Sequence, residues 1–193
     1  MIETSLVTKL RTLTGAGIVD CKKALEDSAG DFDKAVDYLR KKGQKIAANK
    51  EGRATYEGLI YAYVHTNGRV GAIVEIACET DFVARNEQFK QFAHEVALQI
   101  TASNPLYIKP EDVPSEVVEK EKEIYREQLP ADKPEQIKEK ILAGKLDKYF
   151  QEVCLLKQQS IKDDEMTIEQ LLTEVIAKMG ENVQIKRFCR FSL

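Results

Sequence analysis

Apolar positions in the first fifty residues recur at helical spacing. Leu6, Leu10 and Leu13 stand at i, i+4 and i+7, one face of a helix. Gly15-Ala16-Gly17 interrupts that pattern. A second set, Ile18, Cys21 and Leu25, marks another helix that stops near Gly30. Asp31 is placed to cap a third, which turns Phe32, Ala35, Val36 and Leu39 inward and stops at Gly43. Three short helices on glycine-bearing turns predict a helical domain of roughly 45 residues, a core small enough to need support from a neighbour or a partner.

From Thr55 the period drops to two. Tyr56 to His65 is rich in strand formers, and Asn67-Gly68 is a strong hairpin signal. Val70, Ala72, Val74, Ile76 and Cys78 then alternate on one face of a returning strand. After a polar loop, Phe89, Phe92, Ala93, Val96, Ala97 and Ile100 trace an amphipathic helix that Asn86 can cap. Pro105, Pro110, Pro114, Pro130 and Pro134 are all the prolines of the chain, and they divide two helices, 115–128 and 135–156. Gly144 lies inside the second, where a kink or break is expected. Thr167-Ile168-Glu169-Gln170 has capping-box spacing and opens a helix with Ile168, Leu171, Leu172, Val175, Ile176 and Met179 on its inner face. That helix ends at Gly180, and Val183, Ile185, Cys189 and Phe191 share parity on a last strand, which joins the hairpin. The expected class is α+β: three N-terminal helices, then an antiparallel three-stranded sheet packed with helices. Residues 1–53 form the helical domain plus a linker, and 54–193 form an α+β core with a helical middle segment at about 105–160.

Charge changes this picture locally. The 193 residues carry a net charge of −3, which excludes a globally basic nucleic-acid coat. Residues 1–53, however, hold 11 basic and 8 acidic side chains, and Arg40, Lys41, Lys42, Lys45, Lys50 and Arg53 face the single acid Glu51 in a basic connector. No apolar run spans a membrane, and the N-terminus from Met1 to Ser5 lacks the basic start and apolar stretch of a signal peptide. Cys21, Cys78, Cys154 and Cys189 lie far apart, with no histidine at ligand spacing. The expectation is a reduced, cytoplasmic protein with no metal and no cofactor.

Catalytic chemistry is sparse. The chain has two histidines, His65 at a strand end and His94 off the apolar stripe of its helix, where a solvated side chain is expected rather than a catalytic base. Gly15-Ala16-Gly17 lacks the third glycine and the preceding strand of a dinucleotide cradle. No enzyme is expected. One loop, Glu79-Thr80-Asp81-Phe82-Val83-Ala84-Arg85-Asn86, sets a large aromatic among polar residues between a strand and a long helix. Two readings stay open for it: Phe82 and Val83 tuck under the helix as an apolar staple, or Phe82 protrudes as an anchor for a partner's pocket.

Three blocks of sequence carry a resemblance. Thr80-Asp81-Phe82-Val83 followed by Ala84-Arg85-Asn86 resembles the signature loop of the elongation factor Ts family. Leu10-Arg11 through Thr14-Gly15-Ala16-Gly17 to Asp20-Cys21-Lys22-Lys23-Ala24-Leu25 resembles its opening, and Gly180-Glu181-Asn182-Val183 through Ile185 to Arg187-Phe188 resembles its last strand. The resemblance implies a guanine-nucleotide exchange factor for the translational GTPase elongation factor Tu. It implies a ubiquitin-associated-like three-helix domain that docks on the GTPase through Ile18 and Val19, with Asp20 and Lys23 beside them. It further implies an exchange loop of Thr80, Asp81, Phe82 and Val83, with Phe82 wedged beside the partner's nucleotide site and Asp81 holding the displaced helix. Longer members have two core subdomains and a coiled-coil insertion; this chain has one core subdomain. Short relatives can work as dimers, so the resemblance also implies a possible homodimer, giving a two-plus-two assembly with the GTPase. Cys189 is by default a buried thiol, or a two-fold contact if its strand is an edge; the cytosol disfavours a disulfide there. The rival reading is an RNA- or ribosome-binding accessory protein using residues 40–53, with Tyr61 and Tyr63 either packed or stacking bases.

Overall fold

Gly15 ends the first helix by entering the left-handed region at φ +66, and its amide donates to the Arg11 carbonyl. In the computed structural model, which describes residues 2–130 and 134–193, this helix is α1, Thr4–Thr14. The expectation resting on Met1 lies outside the described residues. Helix α2 follows over Ile18–Asp27 and α3 over Phe32–Lys50, where the Asp31 side chain accepts the Lys34 amide as expected of a cap. Val7, Leu10, Cys21, Ala24, Leu25, Ala35 and Leu39 form the buried cluster of these three helices. The stripe on α1 therefore runs Val7, Leu10, Thr14. Leu13, expected inward, is exposed.

Helix α3 passes straight through Gly43. A lone glycine costs only about 1 kcal/mol inside a helix, and the flanking Lys, Gln, Ile and Ala residues are adequate helix formers. Gly43 also lies where a Cβ would come within 3.5 Å of the Ala177 Cβ, an ordinary contact. Most of the basic connector is thus the last turns of a helix.

Strands β1 (Glu57–Val64) and β2 (Val70–Cys78) are joined around Asn67-Gly68. Gly68 takes φ +67 and its amide donates to the His65 carbonyl. Asn67 supplies its Oδ1 to the Arg69 amide at 3.0 Å. The one-turn helix α4 (Asp81–Ala84) and the long helix α5 (Glu87–Ser103) come next, and Asn86 Oδ1 accepts the Gln88 amide at 2.8 Å at the start of α5. Helices α6 (Ser115–Glu127) and α7 (Glu135–Val153) follow the prolines. Gly144 neither breaks nor ends α7. The helix runs on to Val153, whose carbonyl accepts the amides of Leu106 and Tyr107. Helix α8 (Ile168–Met179) ends at Gly180, φ +70, and β3 (Val183–Ser192) completes the chain.

The sheet order is β1-β2-β3. The Leu193 amide meets the Arg69 carbonyl at one end, and the Asn182 amide meets the Glu79 side chain at the other, so β3 runs antiparallel to β2. The architecture is α+β, with N-terminal helices and a three-stranded antiparallel sheet packed with helices. Two compact units arise: Met1–Leu59, Glu75–Phe92 and Gln170–Lys186 form one, and Ile60–Val74, Ala93–Glu169 and Arg187–Leu193 the other. In the first unit, Gly58 (φ +152) lies so close to β2 that a Cβ would sit 2.2 Å from the Ile76 carbonyl oxygen. In the second, Gln99 is buried and donates to Ser103, Gln158 and the Gln159 carbonyl while accepting the Ile161 amide, which ties the segment after α7 to α5.

Candidate protein-interaction site

The turn after β2 is built from side chains that come back to it. Glu181 accepts the amides of Glu79 and Thr80 at 3.2 and 3.0 Å and the Thr80 hydroxyl at 2.6 Å. Glu79 in turn accepts the Asn182 amide at 2.6 Å and faces Arg53 at 3.4 Å. Those donors hold the Glu79 carboxyl below its ordinary range, the Asn182 amide contributing most and Arg53 next. Asn182, itself buried, gives its side-chain amide to the Glu51 and Arg53 carbonyls. Beneath the turn, the Cys78 thiol donates to the Thr80 carbonyl, and burial pushes its pKa up to about 11, far from a reactive thiolate.

On this base α4 divides its side chains by their chemistry. Val83 is 9% exposed and Phe82 is 81% exposed. Val83 is tucked, as the staple reading expects, but Phe82 protrudes, against that reading. Asp81 pairs with Arg85 at 3.1 Å across the turn, an exposed i,i+4 pair worth a few tenths of a kcal/mol, roughly, and easily exchanged for another donor.

The α1–α2 turn is pinned by Thr14, whose hydroxyl donates to the Leu10 carbonyl and accepts the Ala16 amide, and by Cys21, which donates to the Ala16 carbonyl. It presents Ile18 (54% exposed) and Val19 (75%), and Leu13 (65%) lies at its other side. Ile18 does not share the buried face of Cys21 and Leu25. Lys23 is exposed, whereas Asp20 is paired with Lys42 of α3 at 2.6 Å. Leu13 is the residue the periodicity conceals, because its spacing from Leu6 and Leu10 assigns it to the core.

In the second unit Cys189 is exposed, against the default of a buried thiol. Its strand is the sheet edge, and the alternation that buries Val183 and Ile185 does not continue along it: both Lys186 and Arg187 are exposed. Ile60, Val64, Ile73, Phe191 and Leu193 are exposed as well. A groove of about 390 Å³ runs along Ala62, Val64, Ile73 and Phe191. Tyr61 and Tyr63 are half-buried and pack edge-on against His94, and Tyr61 Oη lies 3.1 Å from His94 Nδ1. His94 is thus a packed ring rather than a solvated one. Among the described residues no group of three or more His, Cys, Asp or Glu could hold a metal ion, and no helix is long and apolar enough to cross a membrane.

The family model described as "Elongation factor TS" matches residues 21–193. The elongation factor Ts of Thermotoga petrophila is 56% identical over 192 residues, a match that covers 100% of this chain and 96% of that protein. The elongation factor Ts of Syntrophus aciditrophicus is 53% identical over 193 residues, with 100% and 96% covered. That of Carboxydothermus hydrogenoformans is 53% identical over 194 residues, with 100% and 89% covered. The family model begins at Cys21, so Ile18, Val19 and Asp20 are spanned by the full-length relatives and not by it.

Proposed function

This chain belongs to the elongation factor Ts family, and from that premise we propose that it is a guanine-nucleotide exchange factor that promotes GDP release from elongation factor Tu by inserting the Asp81–Phe82 turn beside the partner's nucleotide site. The nucleotide and its Mg²⁺ belong to the partner. The observation that carries the reading is Phe82: a large apolar side chain left 81% exposed on a turn whose base is tied down by five hydrogen bonds to Glu181, Asn182 and Arg53. Water repels such a side chain, and burial in a pocket would recover about 1.5–3 kcal/mol.

Linkage sets the form of the mechanism. A factor that weakens GDP binding is weakened by GDP to the same extent, so exchange passes through a ternary complex in which the wedge competes with site geometry rather than with nucleotide. Phe82 supplies the wedge. Asp81 gives up the exposed Arg85 pair and takes donors on the GTPase; a carboxylate facing an apolar wall would be far costlier. Residues 1–53 act as the docking domain plus linker, with Ile18 and Val19 as the apolar contacts and Lys23 beside them. The 54–193 core carries the exchange turn. A second copy of the chain meets the exposed face of Ile73, Cys189 and Phe191 along the β3 edge, giving a two-plus-two complex.

The test is release of a fluorescent GDP analogue from elongation factor Tu. Acceleration by wild type is expected, reduced about 10–100-fold in Phe82→Ala and also reduced in Asp81→Ala, with both variants folded by circular dichroism. Unchanged release by folded Phe82→Ala removes Phe82 from the mechanism. The RNA-binding alternative keeps Arg40, Lys41 and Lys45 as exposed cations, but Lys42 and Arg53 are engaged in ion pairs. A steep fall of RNA affinity with salt would favour that alternative.

A further inference from the structure

Thr80 stands where a helix cap belongs. Its backbone is extended (φ −128, ψ 157) immediately before α4, yet its side chain makes no cap hydrogen bond. A threonine in that position ordinarily offers its hydroxyl oxygen to an amide of the first turn. Here the hydroxyl is turned away and donates to Glu181 Oε1, while Glu181 Oε2 takes the amides of Glu79 and Thr80. Three donors from two consecutive residues converge on one carboxylate that lies about a hundred residues further along the chain, between α8 and β3.

A helix of four residues does not hold itself. One turn fixes several dihedral angles for a single hydrogen bond, so nucleation is unfavourable without outside support. Val83 anchors α4 on its buried side, but an apolar pin leaves rotation about it free. The polar side of the turn is fixed at Glu79 and Thr80, and the carboxylate of Glu181 does this by charge-assisted bonds that are about twice as strong as neutral ones.

We propose that Glu181 is a positioning residue for nucleotide exchange: it draws Thr80 out of its capping role and so sets the direction in which Asp81 and Phe82 project. The proposal rests on the reading of residues 80–83 as the exchange turn. Glu181 is placed to act through Thr80, whose hydroxyl and amide it holds. Its charge matters as much as its shape. A glutamine there keeps one oxygen for the two amides and turns its NH2 toward the Thr80 hydroxyl, which must then accept instead of donate, so Glu181→Gln keeps the shape but removes the charge and reverses that bond. Without the carboxylate, the Thr80 hydroxyl is free to return to the α4 amides, and the turn gains a second conformation.

The experiment measures stimulated GDP release from elongation factor Tu over a range of factor concentrations. It compares wild type, Phe82→Ala, Glu181→Gln, Thr80→Val and the Glu181→Gln/Thr80→Val double variant, with a denaturation midpoint for each. The maximal rate is expected to fall about tenfold in Glu181→Gln, while the half-saturating concentration stays within about twofold because the docking surface is untouched. Thr80→Val should lower the maximal rate in the same sense. The double variant should be no slower than the slower single one, since both changes break one connection. A wild-type maximal rate in folded Glu181→Gln overturns the proposal, as does a double variant whose losses multiply. If Glu181→Gln does not fold, Thr80→Val decides alone: a lowered maximal rate at unchanged half-saturation supports the proposal, and an unchanged rate overturns it. A wild-type chain that releases no GDP, or a Phe82→Ala variant as fast as wild type, overturns the exchange reading beneath it and is told apart by those two controls.

Discussion

At the scale of single residues the first unit is organised by a few polar groups. Glu79 is held below its ordinary value of 4.5 by the Asn182 amide and Arg53. A depressed carboxyl contributes stability in full above its unfolded value and loses it as pH falls through the folded value. The stability difference between wild type and Glu79→Gln should therefore be constant near neutrality and shrink below about pH 4.5. Urea denaturation of both proteins across pH 3–7 (a range of about four units) checks it. Gly58 gives a second prediction. Its φ of +152 and the 2.2 Å separation of a Cβ from the Ile76 carbonyl oxygen admit no side chain. Gly58→Ala should cost about 3 kcal/mol, read from the same denaturation midpoint. Some of this was legible beforehand. The chemistry of Thr80-Asp81-Phe82-Val83 marked the loop, but composition could not say which of two adjacent apolar residues would be buried. The side chains that hold the turn's base, Glu181 and the Asn182 amide, come from about a hundred residues away, and no local pattern reveals them. His94 was hidden similarly, because its partners Tyr61 and Tyr63 come from a strand that no helical periodicity reveals.

At the scale of elements, periodicity and capping chemistry located the long helices and the strands around the site, but the one-turn helix α4 that carries Phe82 was read as a loop, because four residues are too few to show a period. Asp31, Asn86, Gly68 and Gly180 act where their side chains or φ freedom predict. The other misses share a physical cause: an isolated glycine is a weak signal against a long helix-forming run, and α3 and α7 both continue through theirs. The N-terminal helices rest on a cluster of only seven buried side chains, two of them on α1. Leu10, fully buried there, is the obvious weak point. Leu10→Ala should destabilise these helices by about 2–5 kcal/mol. Hydrogen exchange should show amides of α1 to α3 losing protection while those of α6 and α7 keep theirs.

At the scale of the whole molecule, exposed apolar area has to be accounted for. Ile73 and Phe191 are large side chains open to water beside an edge strand, where a second chain can add. If two copies meet there, Phe191→Glu should shift the mass measured by light scattering from two chains to one. Stimulated GDP release per chain would then report how much of the activity needs the pair. Cys189 supplies an independent readout, since a thiol alkylated readily in the monomeric variant should be protected in the wild type.

Asn182 has one more consequence. Its side chain donates to the carbonyls of Glu51 and Arg53, the first and third residues past the end of α3, so the passage from the N-terminal helices to the sheet is stapled rather than free. A loose tether would let two contact surfaces search independently, and the second would engage at an effective concentration set by tether length. Under the proposed function, a stapled one makes the N-terminal helices and the exchange turn a ruler of fixed span, which loses its orientational freedom once for both contacts. Four glycine-serine residues inserted after Lys50, together with Asn182→Ala, would turn the ruler back into a tether. Weaker binding of nucleotide-free partner, with each surface intact, would be its signature.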